Sequence, residues 1–201
     1  MLRRDMELGQ ALTNMAWMLI PAVIYALVMR FRRHLGFAEI TERLGLRLGP
    51  ARWYAIASGV AIPTAVLSIA MSSLTSRFEG SMLTPYLDVP VSPGLVAMAF
   101  NYGFIATGLP EELLFRGLIG GALFRRTSFR RANTIQALIF MAPHLLLLLV
   151  APTLWPFATF GIFGLGLVLG WLRERSGSIG PPALVHAAGN VAGALAVMKW
   201  S

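Results

Sequence analysis

The chain has 201 residues, of which 56% are hydrophobic, 13% are charged and none is cysteine, and its formal net charge is +8. The lack of cysteine excludes disulfides, thiolate chemistry and cysteine metal sites. The positive charge does not indicate a nucleic-acid partner, because the arginines cluster beside apolar runs, a pattern that favours orientation in a membrane and attraction to anionic lipid.

Long uncharged runs dominate the sequence, at 11–29, 53–76, 89–110, 132–172 and 176–198. A run of about 18 or more apolar residues is long enough to cross a ~30 Å hydrocarbon core as a helix. These runs predict an all-α, polytopic transmembrane bundle rather than a soluble all-α core. The first run is too long for the apolar region of a cleavable signal peptide, and no small-x-small site follows it before "MRFRRHLGF". We expect a multi-pass protein of the lipid bilayer in a prokaryotic cell membrane.

Taken in chain order, the predicted spans are roughly 11–29, 53–74, 93–124, 132–150, 157–172 and 178–198. The third is unusual, because ~32 helical residues would reach ~48 Å and must therefore tilt, bend or break. Pro110 is the expected break, since proline lacks an N–H and clashes with the preceding turn. A split into two short helices at this point would give seven spans instead of six.

Arginine and lysine positions favour six spans with both termini outside. Counted this way, twelve basic residues fall on the side that we predict to be cytoplasmic and four on the other, with Arg116 left inside the membrane. The cytoplasmic set is Arg30, Arg32, Arg33, Arg43, Arg47, Arg52, Arg125, Arg126, Arg130, Arg131, Arg173 and Arg175, and the outer set is Arg3, Arg4, Arg77 and Lys199. Splitting 93–124 would instead export "RRTSFRR".

Ionisable side chains inside the spans are the candidate functional residues, because such groups are costly in lipid and usually face the protein interior. They are Glu111, Glu112, Arg116, His144 and His186. Measured along each helix from the arginine-rich side, Glu112 and His144 lie ~20 Å deep and His186 ~16 Å deep, with Asn190 one turn further. This common depth predicts one shared site.

The two glutamates are predicted to have different partners. Glu112 and Arg116 are four residues apart on one helix face, with the acid first, which is the favourable orientation for an ion pair. Glu111 points about 100° away and is left without a cation, in surroundings that suit a general base. His186 and Asn190 share a face of the last span, and both can donate hydrogen bonds toward an oxyanion.

Three motifs carry a family resemblance. "EELLFR" fits EExxxR, "FMAPH" fits FxxxH and "HAAGN" fits HxxxN, in that order on separate spans. The chain thus resembles the CPBP family of intramembrane proteases, which includes CAAX prenyl endopeptidases of the Rce type and bacteriocin-processing or self-immunity proteins. The resemblance covers about 110–190 and implies one protease domain over 1–201, with two family-variable spans in 1–92 and a four-helix catalytic core in 93–198.

The resemblance also implies roles for the site residues. Glu111 with His144 would activate water, His186 and Asn190 would stabilise the oxyanion, and Glu112 and Arg116 would support the site. The predicted function is glutamate-dependent hydrolysis of a membrane peptide or protein, which would need a lipid-accessible groove if the substrate is prenylated.

Three other functions remain open from the sequence. They are a non-catalytic scaffold or immunity protein, a zinc-dependent version of the same protease, and a transporter that uses buried Glu and His as a proton relay. Two histidines and a glutamate could hold zinc with an open position, but Asn190 is a poor zinc ligand. We therefore expect no metal and no other cofactor.

Overall fold

The apolar runs form helices close to the predicted bounds. The computed structural model describes residues 2–76 and 81–200, with all their side chains except those of residues 2–12 and 14. The α-helices are α1 Leu2–Arg32, α2 Phe37–Leu44, α3 Ala51–Thr75, α4 Pro93–Phe100, α5 Leu109–Glu112, α6 Gly121–Phe124, α7 Phe129–His144, α8 Ile162–Ser176 and α9 Gly180–Ala196. Short 3₁₀ turns occur at Thr84–Tyr86, Leu145–Leu149 and Pro152–Leu154, and the described part of the chain contains no strand.

The prediction of an all-α membrane bundle is confirmed. Within the described residues, four helical stretches are long and apolar enough to cross a membrane: Met15–Arg32, Ala51–Thr75, Phe129–Leu149 and Phe157–Ser176. The other two predicted spans are helical as well, although α9 has 17 residues and 93–124 is divided into α and π segments. Large apolar side chains such as Ile24, Ile62 and Val66 are exposed on α1 and α3, as expected for surfaces that face lipid.

The number of spans and their orientation stay predictions. Of the residues counted for the outer side, Arg77 lies outside the described residues, and so do the side chains of Arg3 and Arg4. Lys199 is described, and its backbone pairs with the segment before α4 through Val91 N to Lys199 O at 3.1 Å and Lys199 N to Val89 O at 2.9 Å. The end of the chain is therefore tied to the start of the third predicted span.

Residues 93–124 form one continuous helical passage, which we call the long helix. It consists of α4, a π-helical segment Asn101–Gly108, α5, a second π-helical segment Leu113–Gly120, and α6. The predicted break at Pro110 is wrong, because the helix continues through this residue. The turn before the proline is π-helical: the Leu109 N–H bonds to Phe104 O, five residues back.

Glycines four residues apart, such as Gly117 and Gly121, let the helices approach one another closely. An added Cβ at Gly117 would lie 2.6 Å from Leu44 O, and one at Gly121 would lie 2.8 Å from Arg43 O, so the C-terminal end of α2 packs on the backbone of the long helix. At Gly166 the added atom would lie 3.0 Å from the Ala137 Cβ. The α7–α8 and α2–long-helix contacts thus depend on the absence of side chains.

The first two predicted spans are part of the same packed structure as the motif-bearing helices. A buried apolar cluster joins α3, α8 and α9, with members Ala57, Ala61, Leu169, Leu172 and Val185. α3 also packs along the length of α9, the helix that carries the HxxxN motif. Residues before 92 therefore help to hold the last helix in place.

Candidate active site

The predicted ion pair is present and completely buried. Arg116 Nη1 lies 2.9 Å from Glu112 Oε1, and both side chains have 0% exposure. The pair forms because the two residues are one turn apart on the long helix. A buried carboxylate next to a guanidinium is compensated in charge, so Glu112 is committed to a partner on its own helix.

His186 brings α9 to the same carboxylate. Its Nδ1 lies 2.9 Å from Glu112 Oε1, and its Nε2 lies 3.6 Å from Glu111 Oε2. Because a carboxylate accepts hydrogen bonds, Nδ1 is the donor to Glu112, and this contact fixes the orientation of the ring. The opposite nitrogen of His186 is thereby directed at Glu111.

The two adjacent glutamates lie in different surroundings, as their 100° separation predicts. The Glu111 side chain retains 13% exposure, whereas Glu112 has none. Among the described residues no side chain donates a hydrogen bond to Glu111 within hydrogen-bond distance, and His186 Nε2 lies 3.6 Å from its Oε2. Glu111 is thus the more accessible carboxylate of the pair.

Phe140 of the FxxxH motif connects the three helices of the site. Its ring centroid lies 4.0 Å from Arg116 Cζ, 4.8 Å from the His144 ring and 5.9 Å from the His186 ring. The contact with Arg116 has cation–π geometry, which is strongest where water is excluded. Phe140 itself is 1% exposed. The aromatic residue of the motif therefore packs against both histidines and the buried cation.

His144 is oriented by its own helix. Its Nδ1 lies 2.8 Å from Phe140 O, one turn earlier on α7. A carbonyl oxygen can only accept, so Nδ1 is the donor, and in the neutral ring Nε2 carries the lone pair. His144 is therefore arranged to accept a proton or a hydrogen bond through Nε2.

Asn190 has a partner that sequence reasoning missed. Its Nδ2 donates to Thr107 Oγ1 at 2.8 Å, and the Thr107 hydroxyl lies 2.8 Å from Tyr102 O. Thr107 is 6% exposed and belongs to the first π-helical segment. Its position four residues before Glu111 is the one sequence signal that could have placed it on the site-facing side of the long helix.

The predicted catalytic residues line one cavity of about 840 Å³. Glu111, His144, His186 and Asn190 all contribute to its wall, and Tyr102, Thr107 and Phe140 lie beside them. The rest of the wall is mostly apolar and includes residues of α3 and α8. The structure therefore brings together the four residues that were predicted to be catalytic, while Glu112 and Arg116 lie behind them.

Comparison with known proteins identifies the family. Residues 93–192, about half of the chain, match the family model described as type II CAAX prenyl endopeptidase Rce1-like. The chain belongs to this CAAX protease family. No curated protein matches it, and no solved structure does. The matched region begins at the first residue of the long helix and ends two residues after Asn190.

Family membership establishes the broad class of this protein. The CAAX protease is an integral membrane protein with apolar, membrane-length helices, and its family acts as peptidases within the membrane. All three motifs lie inside the matched region, from Glu111 to Asn190. The roles of individual residues go further than the match and are proposals.

The site residues of this CAAX protease do not form a metal-binding cluster. In residues 2–76 and 81–200, no group of three or more His, Cys, Asp or Glu side chains is arranged to hold a metal ion. Each histidine has one ring nitrogen engaged, His186 Nδ1 by Glu112 and His144 Nδ1 by a carbonyl, and this leaves Nε2 of each ring for other contacts. Independence from metal stays a prediction.

Proposed function

We propose that this CAAX protease hydrolyses peptide bonds within the bilayer with a water molecule that Glu111 activates. The observation that carries the proposal is the unequal placement of the two glutamates. Glu112 is fully buried and bonded to Arg116 and His186, whereas Glu111 lines the cavity. A base must reach its proton through a hydrogen bond, and of the two carboxylates Glu111 has that access.

The proposed reaction begins with water held between Glu111 and His144. Glu111 takes one proton while the water oxygen attacks the substrate carbonyl carbon, and the carbonyl becomes an oxyanion. An N–H of Asn190, together with His186 Nε2–H when that ring is protonated, stabilises the negative charge. The C–N bond then breaks, and the proton held by Glu111 passes to the leaving nitrogen.

Glu112 and Arg116 support this chemistry without touching the substrate. The Glu112 carboxylate holds His186 through Nδ1, so that Nε2 points toward Glu111. Arg116 compensates the charge of Glu112 and packs on Phe140, which in turn contacts both histidines. Removal of either charge is therefore expected to disturb the histidines as well as the fold.

We propose that the substrate is a membrane protein or peptide with a prenylated C-terminus. Its support is the family, whose description names prenylated CAAX sequences, and the largely apolar lining of the cavity. A farnesyl group requires an apolar environment, and a cavity of about 840 Å³ is of the size that usually binds small molecules.

The test is the Glu111→Gln variant of the purified full-length protein in lipid nanodiscs. The probe is an internally quenched peptide with a farnesylated CaaX terminus, and the readout is the rise in fluorescence on cleavage. Loss of the base is expected to lower kcat at least ~100-fold while the melting temperature stays near that of the wild type. Equal cleavage by variant and wild type would show that Glu111 is not the base.

A second measurement applies if the native substrate is not farnesylated. Peptides released from membrane fractions of cells that carry the wild type or Glu111→Gln are compared by mass spectrometry. A protease predicts peptides that depend on Glu111. A scaffold predicts the same peptides and the same phenotype from both cell lines, which would contradict the proposed function.

A further inference from the structure

Thr107 lies between the first π-helical segment and α9, and its hydroxyl joins the two. It accepts from Asn190 Nδ2 at 2.8 Å and lies 2.8 Å from Tyr102 O and 3.3 Å from Gly103 O. The side chain is 6% exposed and lines the same cavity as the glutamate. None of the three family motifs includes this residue.

The hydrogen-bond directions at Thr107 fix how the Asn190 amide is turned. A hydroxyl has one proton, and the carbonyls of Tyr102 and Gly103 can only accept, so the hydroxyl donates this proton mainly to the nearer Tyr102 O. Its oxygen is then free to accept, which requires the NH₂ end of Asn190 rather than the carbonyl end. The opposite amide orientation would take the hydroxyl proton away from the backbone carbonyls.

The π-helical register makes this contact possible. Tyr102 O is five residues before Thr107, the spacing that a π-helical turn brings into line. The same segment packs directly on α9: an added Cβ at Gly103 would lie 2.9 Å from Ala187 O, and one at Gly108 would lie 3.2 Å from the Ala187 Cβ. Ala187 precedes Asn190 by three residues, so the distance between Thr107 and Asn190 is held by backbone contacts.

We infer that Thr107 is a positioning residue that orients the Asn190 carboxamide, so that its second N–H is presented to the oxyanion. The inference rests on the proposed function, in which Asn190 is an oxyanion donor. Thr107 acts through Asn190 and does not itself touch the reacting atoms. Loss of the hydroxyl should lower kcat, because the oxyanion forms during the reaction and is absent from the bound substrate, and it should leave KM nearly unchanged.

The experiment uses the full-length protein in nanodiscs and the farnesylated quenched peptide. Thr107→Val replaces the hydroxyl by a methyl group of similar size, and we expect kcat to fall about tenfold with KM within about twofold. Thr107→Ser keeps the hydroxyl and is expected to retain at least about half of the wild-type kcat. An equal loss in both variants would mean that the methyl group matters and would overturn the inference.

A double-mutant cycle separates action through Asn190 from an independent effect. Asn190→Ala is expected to lower kcat about 10²–10³-fold, as removal of an oxyanion donor does, and Thr107→Val should then add less than about twofold. A tenfold effect of Thr107→Val in both backgrounds would overturn the inference.

The same set of variants distinguishes failure of the positioning role of Thr107 from failure of the proposed function. If Asn190→Ala lowers kcat and Thr107→Val does not, the oxyanion role stands and the role of Thr107 is wrong. If Asn190→Ala leaves kcat unchanged, the proposed oxyanion donor is wrong and the inference falls with it, whereas Glu111→Gln still tests the base. Thr107→Ala is a second hydroxyl-free variant, for use if the melting temperature of Thr107→Val shows misfolding, and the same kcat and KM changes are expected from it.

Discussion

The same substitution should lower the stability of the protein at Glu112 but not at Glu111. Glu112→Gln removes one negative charge from a site where Arg116 has 0% exposure. Among the described residues, Arg116 Nε and Nη2 have no hydrogen-bond partner, so the Nη1 contact to Glu112 is the polar contact that compensates the guanidinium. Gln can still accept one bond, but the positive charge is left uncompensated in the interior.

The expected cost follows from this burial. Breaking a buried ion pair by removal of one partner typically destabilises a protein by about 3–5 kcal/mol. For a chain of this length, each kcal/mol lowers the melting temperature by roughly 2–4 °C. We therefore expect Glu112→Gln to melt about 6–20 °C below the wild type, and to lose activity too, because His186 loses the carboxylate that orients it.

The assay is thermal unfolding in nanodiscs, followed by tryptophan fluorescence, with cleavage of the farnesylated peptide measured on the same samples. Glu111→Gln is the matched control, because it makes the same substitution one residue away at a partly exposed carboxylate. The control should melt within about 2 °C of the wild type, because Glu111 lines the cavity and its replacement leaves no buried cation without a partner, so a cost below ~0.5 kcal/mol is expected. A stable, inactive Glu112→Gln beside an unfolded Glu111→Gln would refute the assignment and exchange the two roles.

The double variant Glu112→Gln/Arg116→Gln tests whether the unpaired charge is the cause. With both charges removed, no ion is left without a partner, and part of the lost stability should return. The recovery is expected to be incomplete because Arg116 also packs 4.0 Å from the Phe140 ring centroid, and this contact is lost. A double variant that is less stable than Glu112→Gln alone would contradict the charge argument.

Three further predictions concern orientation, metal and packing. A cysteine introduced at Ser128 should not be labelled by an impermeant thiol reagent added to intact cells, and it should be labelled after lysis. The reason is that the basic loops 30–52, 125–131 and 173–175 are predicted to face the cytoplasm. Labelling from outside would refute the six-span prediction. Cleavage should persist in EDTA or phenanthroline, whereas loss of activity that zinc restores, with stoichiometric zinc in the protein, would overturn the metal-free mechanism. Gly117→Ala should lower the melting temperature, because the added Cβ would lie 2.6 Å from Leu44 O. Gly164→Ala is the control and should leave the melting temperature unchanged, because no atom lies within 4 Å of the added Cβ. Equal effects of the two substitutions would contradict the packing argument.

Local spacing explains why part of the site could be predicted from the sequence. The Glu112–Arg116 pair depends on the i,i+4 geometry of any helix, and it is present at 2.9 Å. The different exposure of Glu111 follows from the same periodicity. The helix bounds also followed from the apolar runs, since 93–124 was predicted as one passage and the helical segments cover the same residues.

Contacts between distant residues could not be read from the sequence in this way. Two contacts depend on how α9 lies against the long helix. They join His186 Nδ1 to Glu112 and Asn190 to Thr107, across sequence separations of 74 and 83 residues. The role of Pro110 was wrong for a related reason. Its missing N–H predicts a break in an isolated helix, but the π-helical segments on either side allow the passage to continue.

The two π-helical segments have a structural consequence for the site between them. A π-helical turn holds more residues than an α-helical turn, and each additional residue rotates the next segment by about 100° about the helix axis. α5, which carries Glu111 and Glu112, has such a segment on both sides. The rotation of α5 about the helix axis therefore differs from that of an uninterrupted α-helix running from α4 to α6. Gly103 and Gly117 lie one in each π-helical segment, and they pack against the backbones of α9 and α2, which holds both segments in place. The π segments therefore contribute to the direction of the two carboxylates, and a shift of one residue in this register would place Glu112 where Glu111 now lines the cavity.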